Sequence, residues 1–529
     1  MQLSHRKWGV FMDEIKVKPG RSVARVFGII LLSLLMLVAF LGFFAAWWYV
    51  RVYGRIGFDS VLFTLTGGLG GVSETLIYDF LLKGALPALL CTLVLCVLLF
   101  WEGKPKIVLR NVQLFPVKRN LAAAIACLLS LALLVHAAFN VELVEYVIHS
   151  NQQSELYQDE YRDPKEVNIT FPEEKRNLIY IFLESMETSY LSEDLGGGLP
   201  YNLIPELTAL AQNNVNFSHN TSVGGFKQVT GASWTIGAMT AHTGGVPLKV
   251  PDGIADWQNG YGQDGEFLDG LTTLTSILQE QGYYQSLMVG SVVSFGGRDT
   301  FYENHGVDAI YDLVTARRDG IVPWNYWNDF WGLEDLYLYE YAKQELTEIS
   351  QKDQPFAFTM LTVDTHHIGG FTCQLCGSNY EESYENAIAC ASKQVHDFVQ
   401  WLTEQDFYEN TTIVITGDHC SMDKGYFNRN IDGDYERHVY NCFINAAAEP
   451  YQTKNRQFSA MDMFPTTLAA MGCTIEGDRL GLGTNLFSKA PTLMEKIGYT
   501  KLCTELSKQS SYYSEHFYGK DYTTPETTG

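Results

Sequence analysis

The sequence predicts an α/β protein in which N-terminal transmembrane helices precede a soluble domain with a central, mainly parallel sheet. Three observations carry this. Residues 27–50 (FGIILLSLLMLVAFLGFFAAWWYV) hold no charge and are long enough to cross a bilayer. NLIYIFLES and TTIVITGDH are short β-branched or aromatic runs that stop in polar turns, the pattern of a strand covered on both faces. The stretch from roughly 170 to 500 is long enough for a sizeable core of its own.

The membrane part comes first. Residues 84–101 and 121–140 are two further uncharged apolar runs, the first near the minimum length for a span. The stretch 61–78 (VLFTLTGGLGGVSETLIY) has glycines and Glu74, and reads as an interfacial or re-entrant segment with a fourth span as the alternative. Residues 1–143 are therefore expected to form a membrane anchor, 144–170 a polar linker, 171–500 the soluble domain and 501–529 a solvated tail. Arg6, Lys7, Lys16, Lys18, Arg21 and Arg25 precede the first run, and Lys104, Lys106, Arg110, Lys118 and Arg119 lie between the second and third. By the positive-inside rule both groups are cytoplasmic, so three spans leave everything after about residue 141 outside. The long, partly acidic leader shows no small-residue cleavage site, and the first span reads as an uncleaved anchor.

The net charge is −23, mostly in the outer portion. That balance argues against nucleic acid as a partner and against broad adsorption to anionic lipid. Lipid contact then has to come from the anchor and from a specific pocket. Of the ten cysteines, Cys373, Cys376 and Cys390 are the most closely spaced in the outer domain, and are expected to supply a disulfide if that compartment is oxidising. The CxxC at 373–376 is half of a common zinc pattern, but no second CxxC exists to complete it.

Chemistry gathers at strand ends. Open α/β sheets bind ligands outside the carboxyl ends of their strands. Glu184 ends one run, and Asp418 and His419 end another. One such carboxylate alone is commonly just a surface group. Two strand ends carrying three ligands, two carboxylates and an imidazole, suit Mn²⁺, Mg²⁺ or Zn²⁺. GASWTIGAMTAHTGGVPL, residues 231–248, adds a small-residue turn leading into a helix, with Ser233 and Thr235 near its N-terminus. Either hydroxyl is an ordinary cap by itself. Beside a divalent cation it loses its proton more easily and becomes a nucleophile. PFAFTMLTVDTHH brings Asp364, His366 and His367 to the same rim, and SFGGRDTFY offers Arg298 for phosphate oxygens. His438 is read as structural. The chemistry implied is a double displacement on phosphorus through a covalent phospho-enzyme.

These stretches resemble the alkaline phosphatase and sulfatase superfamily. SWTIGAM, LTVDTHH, GGRDTFY and RLGLGTNLFS are most similar to its membrane-anchored phosphoglycerol transferases, the phosphoglycerol transferase I and lipoteichoic acid synthase group. The resemblance covers about residues 175–490. It implies a sulfatase-like fold for the soluble domain. It also implies transfer of glycerol phosphate from a phosphatidylglycerol-type lipid to an envelope glycan or polymer, with Mn²⁺ the expected metal. The family's metal ligands fall on Glu184, Asp418 and His419, its nucleophilic and metal-bound Thr on Thr235, and its substrate-binding Arg and His on Arg298 and His366. Ser233 fits the turn nearly as well as Thr235 and stays open as the nucleophile. The Cys-x-Pro-Ser-Arg pattern of formylglycine sulfatases is absent at that turn. The setting implied is a bacterial inner membrane with the catalytic domain on its periplasmic or extracellular side. Phosphoethanolamine transfer or ester hydrolysis by the same residues is the alternative, and a non-catalytic, glycan-binding membrane protein is a third class.

Overall fold

The computed structural model describes residues 19–54, 57–58, 61–62, 74–100, 107–109, 112–115, 119–249, 265–326 and 332–518. Residues 1–18 of the leader, most of the 61–78 stretch, and Lys104, Lys106, Arg110 and Lys118 lie outside the described residues. The chain divides into two compact units, one of residues 1–48 and 77–140, the other of residues 49–76 and 141–529.

The first unit holds helices long and apolar enough to cross a membrane. Helix α1 spans Pro19–Tyr53, α2 spans Leu86–Phe100 and α3 spans Arg119–Asn140. A helical stretch from Glu74, with a π turn at Leu81–Ala85, leads directly into α2. The second candidate span is therefore Leu76–Phe100, 25 residues, longer than the run 84–101 expected from sequence. The charged pair Asp79 and Lys83 had hidden its start. Spaced four residues apart on one helix face, they form an ion pair. Leu34, Leu89, Leu93, Leu128 and Leu131 are exposed, whereas the fully buried positions include Ala39, Ala88, Ala122 and Ala126. Small residues at contacts and large apolar ones outside are the arrangement of helices that meet in lipid.

The second unit is built on a seven-stranded sheet. Its strands are β1 Asn177–Leu183, β2 Gly225–Phe226, β3 Tyr284–Val289, β4 Ala309–Tyr311, β5 Phe356–Leu361, β6 Thr411–Gly417 and β7 Val439–Ile444. The spatial order is β2-β7-β6-β1-β5-β3-β4. Pairing is parallel from β6 through β1, β5 and β3 to β4, and antiparallel at β6-β7 and β7-β2. Alternation along β1 explains why both faces are covered. Leu178, Tyr180 and Phe182 enter one apolar core, Ile179, Ile181 and Leu183 the other. A strand buried on both faces has to be apolar throughout, as this one is. The fold is thus α/β with a mostly parallel central sheet.

The stretch read as a polar linker and the one read as a solvated tail both contain packed segments. Within 144–170, Leu156, Tyr157 and Tyr161 are buried in the core, and Ile169–Thr170 pairs antiparallel with Thr474–Ile475. Within 501–529, the helices Tyr499–Ser507 and Ser511–Phe517 bury Leu502, Leu506, Tyr513 and Phe517. Each is a four-residue spacing of large apolar side chains, a narrow helical stripe inside an otherwise polar composition. Residues 519–529 lie outside the described residues.

Candidate functional site

Strand register assembles the site. Leu183 of β1 pairs with Gly417 of β6, so the next residues, Glu184 and Asp418, leave the sheet side by side. Gly417 is required there, because a Cβ would meet the Met186 carbonyl oxygen at 2.0 Å. After Glu184 the chain turns at Ser185, whose φ of 53° lies in the left-handed region. On the other side of β1, β5 continues into Thr362 and Thr365. The Thr362 hydroxyl accepts from the Glu184 backbone N–H at 3.0 Å, and the Thr365 hydroxyl donates to the Glu184 carbonyl at 2.5 Å.

Potential ligand atoms of Glu184, Asp418 and His419 all lie within 4.8 Å of one another, and all three residues are buried. His419 Nε2 is 3.3 Å from Asp418 Oδ2 and 3.8 Å from Glu184 Oε1. His419 Nδ1 lies 3.0 Å from the Cys420 carbonyl. A carbonyl only accepts, so Nδ1 carries the proton and Nε2 presents a lone pair. Asp418 Oδ1 accepts from the Ser185 and His419 backbone N–H groups, each at 2.8 Å. Asp418 Oδ2 is buried without a hydrogen-bond partner. Burial, then the charge of Asp418, pushes the Glu184 carboxyl well above the usual range. Two adjacent buried carboxylates, one oxygen unpartnered, and a bare imidazole nitrogen fit a divalent cation.

Thr235 begins helix α4, Thr235–Gly244, and its Oγ1 lies 3.4 Å from His419 Nε2. Gly231, with φ of 79°, turns the chain into this helix. Ser233 is also buried, but it stands two residues before the helix, and the contact with His419 belongs to Thr235. Arg298 starts helix α5, Arg298–Asn304, and is 1% exposed. One of its terminal nitrogens donates to Ser291 Oγ and to the Val292 carbonyl, both at 2.8 Å, while Nε has no partner. Burial lowers the guanidinium to about 10, against the nearby charges of Glu184 and Asp418, so it stays cationic at neutral pH. His366 is held neutral, lowered to about 3 chiefly by burial and further by His419 and Arg298. Its Nδ1 faces the His367 carbonyl at 2.7 Å and carries the ring proton.

Other rim residues fall outside this group. His367 stacks on His366, with ring centroids 4.4 Å apart. His438 stacks on His219 at 3.4 Å and its Nδ1 faces the Glu436 carbonyl at 2.9 Å. Sequence reasoning missed a buried support behind the Asp418 turn. Arg437 forms an ion pair with Glu187 and donates to the Ser421 carbonyl, while Glu187 also accepts from the Ser421 backbone N–H at 3.0 Å. Nothing local marks that pair, since its members stand 250 residues apart. The expected disulfide is also not formed. All ten cysteines are free, and Cys373 Sγ lies 3.7 Å from Cys376 Sγ and 3.8 Å from Cys390 Sγ.

The chain is similar to several known proteins. A phosphoglycerol transferase I of Xanthomonas campestris pv. campestris is 30% identical over 322 residues, covering 60% of this chain and 43% of that protein. Another, of Citrobacter koseri, is 31% identical over 287 residues, covering 51% and 35%. The chain thus spans less than half the length of these relatives. Among solved structures, lipoteichoic acid synthase LtaP of Listeria monocytogenes aligns with a TM-score of 0.45 at 20% identity, over 61% of this chain and 79% of that one. The phosphoethanolamine transferase EptA of Neisseria meningitidis aligns at 0.49 and 13% identity, over 84% of each chain. A family model described as Sulfatase matches residues 176–473, from the strand that ends in Glu184 to well beyond Asp418 and His419. That match takes in more than half of the sequence, and the chain belongs to the sulfatase family.

Proposed function

We infer that this chain is a metal-dependent phosphotransferase that moves glycerol phosphate from a phosphatidylglycerol-type lipid to an envelope glycan or polymer. The observation that carries the reading is the 3.4 Å approach of Thr235 Oγ1 to His419 Nε2, beside the buried Glu184–Asp418–His419 group. The relatives named phosphoglycerol transferase I supply the group transferred. In this reading Glu184, Asp418, His419 and Thr235 hold a divalent cation, Mn²⁺ before Mg²⁺ or Zn²⁺. Such an ion, when bound, lowers the pKa of a ligated hydroxyl and offsets charge on phosphate oxygens.

Thr235 Oγ attacks phosphorus, the P–O bond to the diacylglycerol oxygen breaks, that oxygen leaves as the alcohol with the proton given up by Thr235, and glycerophospho-Thr235 results. Arg298, cationic and with an unpartnered Nε, receives the non-bridging oxygens. His366, held neutral by burial beside Arg298, is assigned to substrate binding, and the incoming alcohol takes the phosphoglycerol group from Thr235 while its proton returns to Thr235 Oγ. The helices long and apolar enough to span support a bilayer anchor. The catalytic domain is assigned to the periplasmic or extracellular face of a bacterial inner membrane, where lipid head groups are the nearest substrate.

Head-group-labelled phosphatidylglycerol, incubated with the purified full chain and Mn²⁺, tests this. Diacylglycerol release should fall by at least about 10³-fold in Thr235→Ala and in Glu184→Ala, and vanish on chelation. Release that survives Thr235→Ala but is lost in Ser233→Ala moves the nucleophile. Turnover of phosphatidylethanolamine with none of phosphatidylglycerol overturns the glycerol assignment.

A further inference from the structure

Three cysteines meet away from the Glu184 group. Cys373 and Cys376 flank a tight turn closed by the Cys376 N–H on the Cys373 carbonyl at 3.1 Å. Cys390 projects from helix α6, Ser383–Thr403. The three sulfurs lie within 4.8 Å of one another, with Cys373 central at 3.7 and 3.8 Å from its neighbours. A disulfide needs about 2.05 Å and joins only two sulfurs. Two thiolates on a tetrahedral zinc, each about 2.3 Å from the metal, stand about 3.8 Å apart. The spacing is that of co-ligands.

The surroundings fit a cation as well. Gln394, one turn beyond Cys390 and 8% exposed, aims its amide nitrogen at Cys390 Sγ from 3.4 Å and at Cys373 Sγ from 4.0 Å. An N–H directed at sulfur stabilises thiolate, the outer-shell contact that metal-bound sulfur receives.

We propose that Cys373, Cys376 and Cys390 bind a zinc ion through three thiolates. Half-exposed Cys376 marks the side on which water or another small ligand takes the fourth position. Binding releases three thiol protons, forms three Zn–S bonds and involves no redox change. The ion ties the loop after β5, which carries His366, to α6, and so fixes the rim from behind. The proposal is independent of the reaction proposed above.

Two measurements decide it. Cells quenched in acid, denatured and alkylated with N-ethylmaleimide report the thiol state before any purification. Full-length protein purified anaerobically in detergent is then loaded with Co²⁺ and its absorption recorded. Adducts on all three cysteines, together with intense sulfur-to-cobalt charge transfer that is lost in Cys376→Ser, are expected. The wild-type spectrum stands by itself if that variant does not fold. A disulfide joining any two of the three in quenched cells overturns the proposal, and so does a wild-type protein without the charge-transfer band.

Discussion

The backbone N–H of Ser185 donates to Asp418 Oδ1 at 2.8 Å, so the turn after one strand grips the carboxylate of the next. Ser185 pays for that aim with a left-handed φ of 53°, and its hydroxyl also donates to Glu184 Oε1 at 2.7 Å. Replacing it separates the two roles. Ser185→Gly and Ser185→Ala both lose the hydroxyl, and each should weaken metal retention about 10-fold in chelator competition. Only alanine keeps the backbone strain, so the alanine variant should be less stable than the glycine variant by about 1 kcal/mol.

Asp418→Asn keeps the shape and the acceptor for Ser185 while removing one of two adjacent buried charges. The metal-free variant should melt higher than metal-free wild type, by on the order of 1 kcal/mol. Its stabilisation by added Mn²⁺ should disappear, because stabilisation by a ligand follows its affinity for the native state. Thermal melts with and without Mn²⁺ read both effects. A variant that melts below wild type in both conditions contradicts the assignment.

His242 lies on α4 and its Nδ1 is 2.8 Å from the Tyr180 hydroxyl, with the rings of Phe182 and Phe226 against it. Tyr180 is the titratable group facing it, and burial lowers His242 to about 3. The fold therefore holds the neutral ring, whereas the unfolded chain protonates it near 6.5. Its contribution is complete above about pH 6.5 and is lost on acidification, by about 1.4 kcal/mol per pH unit down to about 3. Denaturation midpoints of wild type and His242→Gln should diverge at pH 7, where the Tyr180 contact is altered, and converge toward pH 5.

Glu187 is fully buried, and Arg437 is its cationic partner. Arg437→Ala strands that carboxylate and removes the donor to the Ser421 carbonyl behind the Asp418 turn. A loss of about 3 kcal/mol in stability is expected. Glu187→Gln, which keeps the hydrogen-bonding shape, should cost less. Equal costs in denaturant titrations would show that the charge itself contributes nothing.

Much of this was legible in the sequence. The runs ending in Glu184 and Asp418 announce themselves because a parallel strand covered on both faces must be apolar throughout and can turn polar only at its end. Register was not legible. That Leu183 pairs with Gly417 depends on contacts between distant segments, and the side-by-side exit of the two carboxylates follows from it. Local composition misled in three places. Asp79 and Lys83 masked one helix start, and the Leu502/Leu506 and Tyr513/Phe517 stripes were hidden among polar residues.

The adjacency of β1 and β6 also has a temporal meaning. Ser185 and Asp418 touch although they stand 233 positions apart, so a chain made from its N-terminus shows Glu184 long before Asp418 and His419 exist. If the proposed cation binds there, a half-made domain lacks the residues to hold it, and its retention reports that β6 has docked beside β1, which makes metal content a measure of folding as well as of chemistry.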